Sequence, residues 1–103
     1  MPYEAPDVTH VYRAYPILVD RADRVRADLA ERGISTHAYY TPPLHRQPAY
    51  AGRGQAAGSF PVAEAVAERL VCLPIFPTMT SQQVAEVLDA LEHLVQATRP
   101  AAR

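Results

Sequence analysis

Two histidines and two tyrosines stand close together in the chain and could carry chemistry. His37 and His45 flank a proline-rich stretch, and Tyr39 and Tyr40 lie between them. Histidine and tyrosine side chains can bind phosphate or hydroxyl groups and can move protons. The alternative is that all four are ordinary surface and packing residues. The segment from 37 to 45 is therefore the first candidate for a site.

Other residues with reactive side chains favour structural roles. Cys72 lies in an apolar segment, where a buried and inert thiol is expected. Glu64 and Glu68 stand one helical turn apart, which a solvated helix face explains. His10 and His93 are interpreted as structural. No spacing of His and Cys is typical of a metal site, and no phosphate-binding or nucleophile motif occurs.

Composition narrows the class of protein. The 103 residues fit one domain, residues 1–103, and the net charge is −1 without a basic stripe, which argues against nucleic acid as a partner. No apolar run reaches the ~20 residues of a membrane span, and no signal peptide is visible. A single cysteine excludes an internal disulfide. We therefore expect a cytoplasmic protein without a membrane contact.

The first half of the chain predicts a strand, a helix and a second strand. The run 10–19 is rich in Val, Ile and Tyr and predicts a strand, in which Pro16 requires an edge or a bulge. Asp20 is the predicted N-cap of a helix over 21–32. Gly33 ends that helix, and alternation from Ile34 to Tyr40 predicts the next strand.

The second half predicts a long loop followed by two helices and a short strand. Residues 41–60 lack periodicity, and loops of this length are commonly functional or disordered. Pro61 fits the first turn of a helix that continues to Leu70. Residues 72–77 predict a short strand, and Thr80 with Gln83 forms a capping-box pattern. The last helix is predicted from its apolar face at Val84, Val87, Leu88, Leu91, Leu94 and Val95.

These elements predict an α/β domain, in the sense of an α+β sandwich. We expect a small, mainly antiparallel sheet with about three helices packed on one face. Residues 1–9 would form an extended lead-in, 10–97 the core, and 98–103 a frayed tail. The other face of such a sheet would be open, and in a domain of this size it is expected to need a partner.

The loop and its flanks resemble a known family. The sequence from Gly33 to Tyr50, which includes the Pro-Leu-His-Arg-Gln-Pro-Ala-Tyr block at 43–50, is similar to the DegT/DnrJ/EryC1/StrS aminotransferases. These are pyridoxal-phosphate sugar aminotransferases. The resemblance continues through Phe60-Pro61-Val62-Ala63-Glu64 and Cys72-Leu73-Pro74-Ile75-Phe76-Pro77, and His10-Val11-Tyr12 also fits it.

The resemblance implies the C-terminal small domain of those enzymes, as in fold-type I aminotransferases. Their larger domain supplies the Schiff-base lysine and most contacts to pyridoxal phosphate, so no cofactor is expected in this chain. The implied substrate-binding residues lie on the small-domain loop and are Tyr39, Tyr40, His45, Arg46 and Gln47. No catalytic, cofactor-binding or metal-binding residue is implied here.

Four positions depart from the family's pattern. His37 stands where a small residue is frequent, Thr41 where proline is frequent, and Arg13 where histidine is frequent. Pro16 interrupts the first strand. These departures bear on substrate contacts and leave the domain assignment unchanged.

The absence of lysine limits what the chain can do alone. All ten basic residues are arginine, and transamination needs an amine that forms a Schiff base and shuttles a proton. One hypothesis is a truncated or split nucleotide-sugar aminotransferase that acts with a large-domain chain. Another is a stand-alone module that binds a nucleotide sugar, and a third is an interaction protein, most simply a homodimer or other homo-oligomer.

Overall fold

In the part of the chain that the structure describes, the sheet is a single antiparallel pair of short strands. In a computed structural model that describes residues 2–54 and 56–98, β1 (Tyr15–Leu18) pairs with β2 (Leu70–Leu73). In this register Pro16 lies opposite Cys72. The Val19 N–H donates to the Arg69 carbonyl at 2.9 Å, so by the alternation of an antiparallel ladder Pro16 occupies a pair that needs no hydrogen bond. The predicted edge position of Pro16 is confirmed.

Three α-helices accompany this sheet in the described part of the chain: α1 (Ala22–Glu31), α2 (Pro61–Arg69) and α3 (Ser81–Thr98). Two 3-10 turns, Leu44–Arg46 and Pro48–Tyr50, lie in the long loop. The predicted class, a small antiparallel sheet with three helices, is confirmed.

The core forms where α1 and α3 pack against the sheet. Ile17 and Val71 are opposite each other in the ladder, and both are buried. Because alternate residues of a strand face opposite sides, these two mark the inner face. The helices bury one apolar stripe each against that face. Its members are Ala22, Val25 and Leu29 of α1 and Ala90 and Leu94 of α3.

The ends of α1 follow from local chemistry, although one end was predicted wrongly. Arg21, not Asp20, is the N-cap; it has a left-handed φ of 57° and makes no side-chain cap. Asp20 instead pairs with Arg69 at 3.2 Å, which takes its carboxylate away from the helix end. At the other end Gly33 has φ 76°, and the Ile34 N–H donates to the Leu29 carbonyl, as in a Schellman motif. The predicted role of Gly33 is confirmed.

The first predicted strand is shorter than expected because its beginning turns away. Of residues 10–19 only Tyr15–Leu18 are strand. Tyr12 has a left-handed φ of 44°, and its N–H donates to His10 Nδ1 at 2.8 Å. Glu4 accepts the Tyr12 hydroxyl at 2.7 Å and the His10 N–H at 3.0 Å. This local network bends the chain before it reaches the sheet.

The second predicted strand, 34–40, is wrong except at one residue. His37 exchanges two backbone hydrogen bonds with Cys72, of 3.1 and 2.7 Å, as an isolated bridge. Continuing this register would pair residue 35 with Pro74, which has no N–H. It would also pair Tyr39 with Leu70, whose carbonyl already accepts from Arg26 Nη1 at 2.7 Å. Pro74 therefore stops the ladder on one side of the bridge, and on the other side the Leu70 carbonyl accepts from Arg26 instead of from residue 39.

The later boundaries shift by a few residues. The strand predicted over 72–77 is Leu70–Leu73 and ends before Pro74, so Leu70 belongs to β2 rather than to α2. The capping box is confirmed, since the Thr80 N–H donates to Gln83 Oε1 at 2.9 Å and the Gln83 N–H to Thr80 Oγ1 at 3.2 Å. Of the predicted tail, residues 99–103 lie outside the described residues.

Truncation of Leu29 tests this core. Leu29 is 0% exposed, so Leu29→Ala removes buried methyl groups and leaves a cavity. We expect a loss of about 2–5 kcal/mol in the free energy of unfolding, measured by urea denaturation. The control is Val62→Ala, where the side chain is 77% exposed and a change within about 0.5 kcal/mol is expected. Equal stabilities of the two variants would contradict this core.

Candidate functional site

One group of candidate side chains gathers around Tyr39. The bridge to Cys72 holds His37 so that its ring stacks on Tyr39, with centroids 5.2 Å apart and planes 12° apart. The Arg13 guanidinium lies 5.7 Å from the centre of the Tyr39 ring, and Tyr40 lies 5.4 Å from it at a tilt. Tyr40 is 65% exposed. The group presents a cation and aromatic faces to solvent.

This aromatic group borders a cleft. Arg13, His37 and Tyr39 line a cavity of about 280 Å³, together with Ile75 and Phe76. Cys72 also lies on its wall, although the residue is only 3% exposed. Two of the positions that depart from the family's pattern, Arg13 and His37, therefore lie at the same cleft. Sequence spacing gave no sign of this, because residue 13 precedes residue 37 by a strand and a helix.

A second group forms around Glu64 and includes His45. The 3-10 turn Leu44–Arg46 presents His45 to α2, where His45 Nε2 lies 2.8 Å from Glu64 Oε1. The His45 side chain is only 7% exposed, and its ring meets Phe60 edge-on at 4.8 Å. His45 therefore lies inside the loop, in contact with the helix that follows it.

Glu64 was predicted to lie on a solvated helix face, and that prediction is wrong. Its side chain is 18% exposed, and the Gly58 N–H lies 2.9 Å from each of its carboxylate oxygens. Donation from Gly58, and then from His45, holds the pKa of the Glu64 carboxyl below its usual value of 4.5. The available signal was its place in the first turn after Pro61, where a carboxylate is favoured.

The remaining predicted site residues lie at the edges of this second group. Arg46 Nη1 is 3.9 Å from Glu64 Oε2, and its side chain is half exposed. Gln47 Nε2 donates to the Pro42 carbonyl at 3.4 Å. Thr41 Oγ1 donates to the Ala67 carbonyl at 2.8 Å and so ties the start of the loop to α2. The structure thus gathers His45 and Arg46 around Glu64, and it places Tyr39 at the first cleft with Tyr40 tilted against it.

The two other histidines are placed as follows. His10 stacks at a tilt on Tyr12, with centroids 4.4 Å apart. The hydrogen bond to Glu4 raises the pKa of the Tyr12 phenol and lowers the pKa of the Glu4 carboxyl. His93 is exposed on α3. Across residues 2–54 and 56–98 no three His, Cys, Asp or Glu side chains come together as a metal site would require.

None of the helices that the structure describes combines the length and hydropathy needed to cross a bilayer.

The fold is an α/β domain, and its loop over residues 41–60 leads into α2 and carries several of the candidate side chains. The profile of the DegT/DnrJ/EryC1/StrS aminotransferase family matches residues 1–92. The chain belongs to this family, and the predicted recognition of its small domain is confirmed.

Two similar proteins carry different names, one of a sugar transaminase and one of a regulatory protein. A dTDP-3-amino-3,4,6-trideoxy-α-D-glucose transaminase from Streptomyces venezuelae is 38% identical over 91 residues, which are 88% of this chain and 24% of that protein. A pleiotropic regulatory protein from Geobacillus stearothermophilus is 37% identical over 90 residues, or 87% of this chain and 24% of that protein.

A solved structure shares the fold. The S. venezuelae protein DesV, crystallised with a ketimine intermediate, superposes with a TM-score of 0.84 at 37% identity. The match covers 96% of this chain and 26% of that one. The chain thus spans about a quarter of the length of the relatives it matches.

The residues of this chain do not fit the covalent attachment of pyridoxal phosphate, the cofactor that the family implies. Attachment requires a lysine amine, and the ten basic residues of the sequence are all arginine. Arginine keeps its proton and cannot replace that amine. No reaction step is therefore assigned to the cofactor in this chain.

The lowered pKa of Glu64 predicts an acid dependence of stability. Because the folded pKa lies below the unfolded one, the stabilisation is complete above the usual value of 4.5 and is lost as pH falls through the folded pKa. We expect the free energy of unfolding of the wild type to fall more steeply than that of Glu64→Gln between about pH 6 and about pH 3.

Urea denaturation across this pH series is the measurement, and Glu68→Gln is the matched control. Glu68 lies one turn further along α2, at a surface cleft that Asp23 and Arg46 also line. The control should follow the wild type. Parallel curves for the wild type and Glu64→Gln would show that Glu64 gains nothing from these contacts.

Proposed function

We propose that this chain acts as the substrate-side part of a nucleotide-sugar aminotransferase. The single observation that carries the proposal is the likeness to DesV over 96% of the chain, at a TM-score of 0.84. Relatives named as transaminases of dTDP-linked amino sugars support the substrate class. The lysine-bearing part of the enzyme would be a separate region or chain, since this sequence holds no lysine.

The loop from 37 to 47 offers the functional groups that such a substrate requires. Tyr39 and Tyr40 present exposed aromatic faces and phenol hydroxyls, which can stack on a base or bind a sugar hydroxyl. His45, Arg46 and Gln47 add an imidazole, a guanidinium and an amide, which suit hydroxyl and phosphate groups. These five remain the proposed substrate-binding residues.

The chemical step falls outside this chain in the proposal. Pyridoxal phosphate would act as an electron sink held by the large domain, as the family implies. What these residues do is bind and orient the sugar against that domain. The proposed location is the cytoplasm, where nucleotide sugars are made available to such an enzyme.

A cofactor titration tests the missing lysine. When the purified 103-residue chain is mixed with pyridoxal phosphate, we expect the visible spectrum of the free aldehyde, because no side chain can form the Schiff base. A lysine-bearing full-length relative treated in parallel should show the shifted band of a protein-bound Schiff base. A stable shifted band from the 103-residue chain itself would refute the proposed division between chain and large domain.

Substrate binding is tested at His45. Titration with a dTDP-linked hexose, followed by calorimetry, should give a dissociation constant about tenfold higher for His45→Ala than for the wild type. The reason is the loss of one hydrogen bond to the bound ligand. His93→Ala is the matched control, because His93 is exposed on α3 outside both groups. Equal affinities of the wild type and His45→Ala would remove His45 from the site.

The second candidate function is self-association, and an apolar groove favours it. The inner edge of the sheet and α3 leave a cavity of about 360 Å³ lined by Ile17, Leu73 and Ile75 on one side and Val84 and Leu88 on the other. Leu88 is 51% exposed. Apolar surface of this kind favours association, and a second copy of the chain is the simplest occupant.

A charged residue placed in this groove tests whether the chain forms a dimer through it. We expect the wild-type chain to sediment as a dimer and Leu88→Glu as a monomer, because a buried carboxylate without a partner is costly. Val62→Glu provides the control, since Val62 is exposed on α2 outside the groove and this variant should sediment as the wild type does. A monomeric wild type would remove self-association as a function of this groove.

A further inference from the structure

Glu64 is the point at which three separate segments of the chain meet. Its carboxylate lies 2.8 Å from His45 Nε2 in the first 3-10 turn. It also lies 2.9 Å from the Gly58 N–H, at the end of the glycine-rich passage that runs from Gly52 to Gly58 in the sequence. Arg46 approaches the second oxygen at 3.9 Å. Glu64 itself belongs to the first turn of α2. A single carboxylate thereby joins both ends of the loop to the helix.

The hydrogen bond to Glu64 determines where the proton of His45 lies. An ionised carboxylate can only accept, so the ring nitrogen that faces it must carry hydrogen. In the neutral imidazole this places the hydrogen on Nε2 and leaves Nδ1 as an acceptor. The carboxylate thus selects one tautomer of His45 and one hydrogen-bonding character for its other nitrogen.

Packing holds the same ring in one orientation. The His45 side chain is 7% exposed and meets Phe60 edge-on at 4.8 Å. Phe60 is also the N-cap residue of α2, so its position is coupled to the helix that carries Glu64. Turning the ring over would remove Nε2 from Glu64 and give up a charge-assisted hydrogen bond in a largely buried place.

We propose that Glu64 is the positioning residue of the substrate-side loop, which holds His45 as the Nε2–H tautomer and closes the glycine-rich passage through Gly58. Nδ1 then accepts a hydrogen bond from a hydroxyl-bearing ligand. The identity of that ligand as a sugar rests on the proposed function, whereas the tautomer and the closure of the loop do not. Glu64 acts through His45 and need not touch the substrate.

Nitrogen NMR of the imidazole rings tests the proposal directly. In the ¹⁵N-labelled 103-residue chain at about pH 8, where histidines are mostly neutral, His45 should show a protonated Nε2 and an unprotonated Nδ1. In Glu64→Ala the two nitrogen shifts should move towards each other as both tautomers become populated. Glu64→Gln keeps an acceptor oxygen and should restore the wild-type pattern.

Hydrogen exchange of the Gly58 amide gives a second test of the role of Glu64. In Glu64→Ala the Gly58 amide should exchange about tenfold faster, because it loses its acceptor. The Gly33 amide, which donates to the Ala30 carbonyl at 2.9 Å, is the internal reference and should not change. Glu68→Ala, at an exposed position one turn further along the same helix, should leave both the His45 shifts and the Gly58 exchange at wild-type values.

Two results would overturn the proposal. A wild-type His45 protonated at Nδ1 alone would do so without any variant, so the test does not depend on how well Glu64→Ala folds. Unchanged nitrogen shifts and Gly58 exchange in a folded Glu64→Ala would do so as well. The hexose titration is separate: absence of sugar binding together with the expected tautomer refutes the proposed function and leaves the positioning role of Glu64 intact.

Discussion

The two-sided hydrogen bonding of β2 is the constraint on which the rest of the molecule depends. Cys72 directs both of its backbone groups to His37 and none to Pro16. Pro16 has no N–H, and it lies in a pair that exchanges no hydrogen bonds, so the ladder between β1 and β2 loses none. One short strand thereby connects β1 on one side with the start of the site loop on the other. The position of the Tyr39 group follows from that connection.

The loop is held by a few polar contacts rather than by a core. Thr41 is tied to the end of α2, and Glu64 joins His45 and Gly58 to its beginning. Within these anchors the loop contains two 3-10 turns in place of longer elements. The Thr41 hydroxyl, the His45 ring and the Gly58 N–H each meet an acceptor on α2, and these bonds shape a loop of about twenty residues without periodicity.

The functional groups of this chain are suited to binding a ligand rather than to forming a Schiff base. The chain spans about a quarter of each relative's length and carries aromatic, imidazole and guanidinium groups but no lysine. Such groups recognise and orient a polar ligand, whereas a Schiff base requires an amine. A groove beside α3 is lined by apolar side chains, and the proposed self-association of the chain rests on it.

The sequence by itself determined the features that depend on near neighbours. The Thr80 and Gln83 cap, the stop at Gly33 and the helical form of α3 were all predictable, because a cap or a helical face is set by residues three or four positions apart. Of the predicted apolar face of α3, Val87 and Leu94 are buried, whereas Val84, Leu88 and Val95 are exposed. The family was also evident from the block at 43–50. The five proposed substrate residues followed from that resemblance, and they remain proposals.

Tertiary structure alone decided which contacts those residues make. The strand predicted over 34–40 failed beyond His37, where Pro74 offers no N–H on one side and the Leu70 carbonyl accepts from Arg26 on the other. Glu64 could not be distinguished from Glu68 by its helical spacing, because the difference lies in Gly58 and His45, which reach it from separate segments of the loop. Residues 37 and 45 were the first candidates in the sequence. The fold places them in two different groups, because backbone pairing fixes His37 and the partly buried carboxylate of Glu64 fixes His45.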